Sequence, residues 1–237
     1  MNYEIIKDIS ILEKFVDWLP EITQDETYYI CLFARSKYCK GINHINTDKA
    51  QLKRFTSDRS RIIDKIKQLE CPLGSYKQKQ NTVPQEALAL YINPNPRSNI
   101  KAAKNGLIRL AHLVTEENHG YNFHQEMLSE VQKAKSRMVY MDFDIDVDKS
   151  NLSVDTVYSL IEQTVNKEAV HLLESRGGYH LLIEIQKVHQ EFKNKWYDGI
   201  RRFQQNFSTD ILNRGDSMIP IPGCTQGNFI PHFINFK

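Results

Sequence analysis

Asp142, Asp144 and Asp146 alternate with apolar residues in the run Val139-Tyr140-Met141-Asp142-Phe143-Asp144-Ile145-Asp146-Val147. Strict alternation is the pattern of a β-strand, with Val139, Met141, Phe143, Ile145 and Val147 on one face and the acids on the other. Carboxylates two residues apart on a strand stand roughly 6–7 Å from each other, close enough to share divalent cations. Aspartate is depleted in strands, and stacked acids repel one another unless a positive charge lies among them. The run therefore points to a metal site. Two other readings are an acidic strand face open to water and a calcium loop with Asp144, Asp146, Asp148 and Asp155 at its first, third, fifth and twelfth positions. Such a loop needs Gly at its sixth position and a helix ahead of it; Lys149 stands there, and the preceding residues read as strand.

A second cluster is Glu174-Ser175-Arg176-Gly177-Gly178-Tyr179-His180. Paired glycines let the backbone approach an anion closely or adopt positive φ. Ser175, Arg176 and His180 surround the turn with donors suited to phosphate oxygens. Gly-Gly is also an ordinary hairpin connection, in which His180 merely begins a strand. The order of elements favours the functional reading: an acidic strand, a helix and then this turn would lie in one sheet, beside the acids. A third cluster, Asp210-Ile211-Leu212-Asn213-Arg214-Gly215-Asp216, precedes Ile219-Pro220-Ile221-Pro222-Gly223. An acid after a long helix can return a carboxylate to the acidic strand; on spacing alone, Asp210 and Asp216 equally suit capping or solvating a loop.

The 237 residues suffice for one substantial core or two small ones packed together. Hydrophobic residues at 41% and charged residues at 25% are proportions ordinary for a soluble globular chain. No apolar run has the length of a membrane span, and the early charges Glu4, Lys7, Asp8 and Glu13 do not read as a signal peptide, so no membrane partner is expected. Cys31, Cys39, Cys71 and Cys224 show no CxxC spacing and suit reduced thiols in a cytoplasm. The net charge of +2 hides an asymmetry: residues 35–79 carry twelve Lys/Arg against four Asp/Glu, and residues 141–175 carry two against eight. A basic region and an acidic centre on one chain fit a protein that holds a polyanion over a metal, although the basic face of an amphipathic stretch such as 61–69 also simply solvates it.

Positioning these residues requires a set of elements that the pattern supplies. Residues 11–18 and about 59–69 read as helices, 26–35 as a strand in a buried sheet position, and 87–93 as a short strand running into the rigid loop Asn93-Pro94-Asn95-Pro96-Arg97. A helix is expected over about 100–117, and 118–121 is the loosest joint. Beyond it come a strand over 138–147, a helix capped by Ser153, strands over 170–174 and 179–185 around the glycine turn, and a long helix over about 188–207. Strand-helix-strand-strand-helix-strand is the split β-α-β order of an RRM-like sheet.

Together the three clusters resemble the archaeo-eukaryotic primase superfamily, which includes the small primase subunits and prim-pol proteins. Its hhhDhDh strand corresponds to Val139-Tyr140-Met141-Asp142-Phe143-Asp144-Ile145, and its small-x-His turn to Gly178-Tyr179-His180. Its later aspartate corresponds to Asp210 or Asp216, both upstream of Pro222-Gly223; Asp210 follows the helix directly and better matches the family's spacing to the proline. Where members often carry a basic residue before that turn, this chain has Met218-Ile219-Pro220. The resemblance covers residues 138 to the C-terminus, and more loosely Leu32-Phe33-Ala34-Arg35-Ser36-Lys37-Tyr38 and Asn95-Pro96-Arg97-Ser98, which resemble stretches of primase-like proteins of mobile elements.

The resemblance implies an α+β fold forming a single catalytic domain, with an N-terminal α/β module (1–120) packed on an RRM-like module (121–237). It implies a DNA primase-polymerase that adds nucleotides to a 3′-hydroxyl on a template. Two Mg²⁺ or Mn²⁺ ions would be held by Asp142, Asp144 and Asp210, with Asp216 the other candidate ligand and Asp146 shaping the charge. His180, Ser175, Arg176 and Gly178 would bind the incoming nucleotide, and Arg35 and Arg97 would contact phosphate or template. DNA template and primer, NTPs or dNTPs, and a helicase or accessory subunit are the implied partners. Two other classes stay open: a catalytically idle member that binds nucleic acid or nucleotide, and a metal-dependent nuclease, which uses the same kind of carboxylate pair.

Overall fold

The structure, a computed structural model, describes residues 1–39, 50–115, 120–147, 152–205 and 216–234. Helix α1 (Ile9–Trp18) begins where the Asp8 side chain accepts a hydrogen bond from the Ile11 amide, and it buries Leu12, Phe15 and Val16. Strand β1 (Glu26–Ala34) is apolar on both faces because both faces are covered. Tyr28, Ile30, Leu32 and Ala34 share a core with α1 and with Ile62 and Ile66 of α2 (Ile62–Lys67). Tyr29 and Cys31 on the opposite face pack on Leu128 and Val131.

Around β1 the first sheet is antiparallel. β2 (Ala50–Ser57) lies on one side and carries a short ribbon, β3 (Lys77–Gln78) with β4 (Asn81–Thr82), after it in the chain. β5 (Leu88–Ile92) lies on the other side, and β6 (Arg97–Ser98) pairs with the start of β1. Helices α3 (Asn99–Thr115) and α4 (Phe123–Lys133) follow, and α4 supplies Leu128 and Val131 to the layer under β1.

The second sheet holds the acidic strand β7 (Tyr140–Asp146), then, past helix α5 (Val154–Glu162), the hairpin of β8 (Val170–Ser175) and β9 (Gly178–Glu184). Ser153 caps α5 as expected, accepting from the Thr156 amide. Helix α6 (Trp196–Gln205) follows; β10 (Ile219–Pro220) then joins the first sheet beside β5, and β11 (His232–Ile234) joins the second beside β8. Strand orders are β10-β5-β1-β2 and β11-β8-β9-β7. One face of the second sheet packs Phe143, Ile145, Leu181 and Ile183 against Val157, Ile161, Trp196 and Ile200 of α5 and α6. The other face sends Tyr140, Leu173, Leu182 and Phe233 into the core of the first sheet. The acids share that second face and lie beyond its apolar part.

The mixed α+β class is as expected, and β7-β9-β8 is a split β-α-β unit. The fourth strand differs from an RRM-like order. β11 adds beside β8 and not beside β7, because the chain first crosses to the other sheet through β10. The division near residue 120 also falls inside one structural layer: α4 packs on α3 and under β1, and β10 belongs to the first sheet. The helix expected over 188–207 begins only at Trp196, since the Asn166 side chain takes the His189 amide and the Lys187 carbonyl and holds that backbone in turns. β2 was illegible because it is an edge strand whose charged residues Lys53 and Arg54 break the apolar pattern. Among the described residues no helix is long and apolar enough to cross a membrane.

Candidate functional site

β7 presents Tyr140, Asp142, Asp144 and Asp146 on one face, and β9 sets their neighbours by register. Asp142 lies opposite Leu182, Asp144 opposite His180 and Asp146 opposite Gly178. Exposure rises along the strand: Asp142 is 2% exposed, the Asp144 carboxylate is half-buried, and Asp146 is exposed. Side chains fix the strand on its other side. Asn95 accepts hydrogen bonds from the Val139 and Tyr140 amides (2.8 and 2.9 Å) and donates to the Tyr140 carbonyl (2.8 Å), while Gln204 of α6 donates to the Asp144 carbonyl (2.8 Å). Asn95 thus replaces a neighbouring strand at the start of β7.

The positive charge that the acids demand is supplied by the chain itself. His180 Nδ1 lies 3.2 and 3.3 Å from the two carboxylate oxygens of Asp142, and Nε2 lies 3.8 Å from Asp144 Oδ1. Burial works against charge on the imidazole, but Asp142 and Asp144, the Asp142 hydrogen bond and Asp146 outweigh it and raise the His180 pKa to about 9. At neutral pH both ring nitrogens therefore carry protons, and an imidazolium bridges the pair. The Asp144 pKa is raised chiefly by burial, opposed by His180 and Lys37 and reinforced by Asp142 and Asp146.

The glycine turn builds a cationic wall beside this pair. Arg176 and Gly177 are the two linking residues of the β8–β9 hairpin. The Arg176 amide donates to Gln226 Oε1 (2.8 Å), and Gln226 Nε2 donates to the hydroxyls of Tyr38 (3.1 Å) and Tyr91 (3.0 Å). The Arg176 guanidinium lies 4.4 Å from the Tyr38 ring centre, Arg35 lies 5.8 Å from it and 5.6 Å from that of Tyr91, and the Lys37 ammonium is 5.6 Å from Tyr38. Burial pushes the Tyr38 hydroxyl up, so the ring between these cations stays neutral. Arg176 Nη1 and Arg35 Nε are buried without a hydrogen-bond partner among the described residues. Buried donors of this kind ask for an acceptor.

Gly227 makes room for Arg176. Its φ is +66°, and a Cβ there would overlap Arg176 Nη1. Gly178 takes the positive φ that the paired glycines allow. At φ +146° its backbone comes so near β7 that a Cβ would collide with the Ile145 carbonyl, so the glycine permits the pairing that sets His180 beside Asp144. Ser175 is likewise taken by the turn: its hydroxyl donates to the Gly178 carbonyl (3.2 Å) and accepts from the Gly177 amide (3.3 Å). Its one hydroxyl hydrogen is therefore already placed.

Arg97 and Asp216, expected at a template surface and at a metal, are instead paired with each other. Arg97 is 1% exposed, and its guanidinium donates to both Asp216 oxygens at 2.9 and 2.8 Å. Asn95 adds a third bond to Asp216 at 3.1 Å, and Lys135 stands 4.0 Å away. Arg97 is thus withdrawn from any nucleic-acid surface, and the Asp216 carboxylate is filled by an internal ion pair and not left open for a cation. Asp210 lies outside the described residues. Among the described residues no group of three or more His, Cys, Asp or Glu side chains is arranged to hold a metal ion. The pair Asp142 and Asp144 nonetheless offers the hard oxygen donors that Mg²⁺ or Mn²⁺ takes, on one face and with unequal burial. Sequence reasoning missed Tyr38, Tyr91 and Gln226 as parts of the site; no local pattern marks them, because they converge from β5 and two separate loops. No family model matches the chain, and no curated protein or solved structure matches it.

Proposed function

We propose that the chain is a nucleotidyltransferase domain of the archaeo-eukaryotic primase type, which adds nucleotides from triphosphates to a nucleic-acid 3′-hydroxyl. The observation that carries this reading is the constellation of His180 between Asp142 and Asp144 with the cations Arg176, Arg35 and Lys37 gathered around Tyr38. Carboxylates for divalent ions beside cations for phosphates are the two halves of a phosphoryl-transfer site. Asp142 and Asp144 would hold Mg²⁺ or Mn²⁺, with Asp210 the further ligand by resemblance; bound there, such ions activate a hydroxyl nucleophile and neutralise a triphosphate.

The chain's own groups bind and orient. His180 keeps its Nδ1 proton on Asp142 and directs Nε2 to the more open side, beside Asp144, where a phosphate oxygen accepts it. Arg176, steered by Gln226 and supported on Tyr38, offers a planar guanidinium with an unused donor, and Arg35 offers a second. A second reading, an idle nucleotide- or nucleic-acid-binding protein, draws on the imidazolium that already neutralises the acids.

Incubation with labelled dNTPs, a primed template and Mn²⁺ separates these outcomes. Extension by the wild type and its loss in Asp142→Asn/Asp144→Asn, with an unchanged circular-dichroism spectrum, supports the proposal. Shortening of the primer indicates a nuclease. Absence of both, with retained nucleotide binding, indicates the idle protein.

A further inference from the structure

The Gln226 side chain joins three separate stretches of the chain: the β8–β9 hairpin, β5 and the turn after β1. It is 3% exposed, and its backbone is fixed in turn: the amide donates to the Phe229 carbonyl (3.0 Å), and Ala89 of β5 bridges to it. Oε1 accepts from the Arg176 amide, and Nε2 donates to the hydroxyls of Tyr38 and Tyr91. The side-chain amide cannot be reversed, because Nε2 would then meet the Arg176 N–H as a second donor. Both ends of Arg176 depend on this one residue. Gln226 holds its backbone, and Tyr38, which Gln226 also holds, carries its guanidinium 4.4 Å from the ring centre.

The network leaves hydrogens over. Nε2 gives one hydrogen to each hydroxyl oxygen, and each hydroxyl keeps its own. One of these can go to the other hydroxyl, 3.3 Å away. The second has no acceptor among the described residues, and neither have Arg176 Nη1 and Arg35 Nε. A glutamate at this position would serve the fold alone better. Its carboxylate would accept from the Arg176 amide and from both hydroxyls, and its charge would face the neighbouring guanidinium groups. The amide joins the same elements yet leaves those donors and that positive charge unused. A residue that only tied the two sheets together would not carry this deficit.

We propose that Gln226 is a positioning residue for polyphosphate: being an amide and not an acid, it sets Arg176 and Tyr38 in place and keeps the arginines and a tyrosine hydroxyl available to phosphate oxygens. The inference rests on the proposed function in one respect, that this wall takes the triphosphate.

The probe is inorganic tripolyphosphate, titrated by calorimetry into the full chain in EDTA, without primer or template. Gln226→Glu should weaken its binding at least about ten-fold while melting at or above the wild-type temperature, because the carboxylate takes the donors for itself. Gln226→Met, which brings no charge, should weaken binding in the wild-type background and add little in Arg176→Ala, since it acts through Arg176. Wild-type affinity in Gln226→Glu, a melting temperature well below wild type in that variant, or equal losses from Gln226→Met with and without Arg176 each overturn the proposal. So does a wild-type chain that does not bind tripolyphosphate. Primer extension keeps this inference apart from the proposed function. Binding that follows these substitutions in a chain that extends no primer retains the role of Gln226 and removes the polymerase; extension by a chain that binds no tripolyphosphate does the reverse.

Discussion

Replacing Asp216 by Asn tests whether this acid is a structural counter-ion or a metal ligand. Arg97 is 1% exposed, and two charge-assisted hydrogen bonds tie it to Asp216, which Asn95 also holds. Removing one member of a buried pair leaves the other charge uncompensated and costs about 3–5 kcal/mol. The amide keeps one acceptor, and the Asp216 side chain is 17% exposed, so water softens the loss. The expected cost is therefore near the lower end, about 3 kcal/mol. For a chain of this size that is a fall in melting temperature of about 6–12 °C. Urea unfolding in metal-free buffer measures it directly, and Mn²⁺ affinity should stay at the wild-type value. Arg97→Met combined with Asp216→Leu removes both charges and should recover much of the stability, since a filled apolar pair carries no desolvation penalty. A loss within about 0.5 kcal/mol, as for an ordinary surface substitution, would refute the reasoning. A drop in Mn²⁺ affinity at unchanged stability would restore Asp216 as a ligand.

His180 has its folded pKa raised to about 9 by Asp142, Asp144 and Asp146 against burial, so its contribution to stability is fully present below about 6.5 and is lost as pH rises through about 9. His180→Gln should flatten that part of the metal-free stability profile, and an NMR titration that places the ring near its ordinary value would contradict the imidazolium bridge. Gly178→Ala should destabilise by at least about 2 kcal/mol in thermal unfolding, because the new methyl meets the Ile145 carbonyl at positive φ; a melting temperature equal to wild type would argue against the close strand approach. Gly227→Ala should displace Arg176 and weaken nucleoside-triphosphate binding, and Arg176→Ala in the same background should add little further loss. Additive losses in that binding assay would separate Gly227 from Arg176.

The acidic strand, the hairpin around Arg176 and Gly177, and the Ser153 cap were legible in the sequence because each depends on neighbours within a few residues. A period of two places Asp142, Asp144 and Asp146 on one face whatever the remainder of the chain does. The doubly buried character of β1 was legible for a related reason: a strand covered on both faces carries apolar side chains on both, as β1 does from Tyr28 to Ala34. Register was not local. Only the pairing of β7 with β9 decides that Asp144 faces His180 and Asp146 faces Gly178, and a slip by one residue would have turned His180 to the other face. Nor could spacing assign Arg97 and Asp216, which are 119 residues apart; each looked available for a ligand until the fold closed one upon the other. Tyr38, Tyr91 and Gln226 come from three distant stretches and form a cationic wall with Arg176 only when both sheets are assembled. Residue types and short-range periodicity determined what chemistry this chain carries. Which charges neutralise each other, and which remain for a ligand, was decided by the tertiary structure, because ion pairing depends on distance in space and not along the chain.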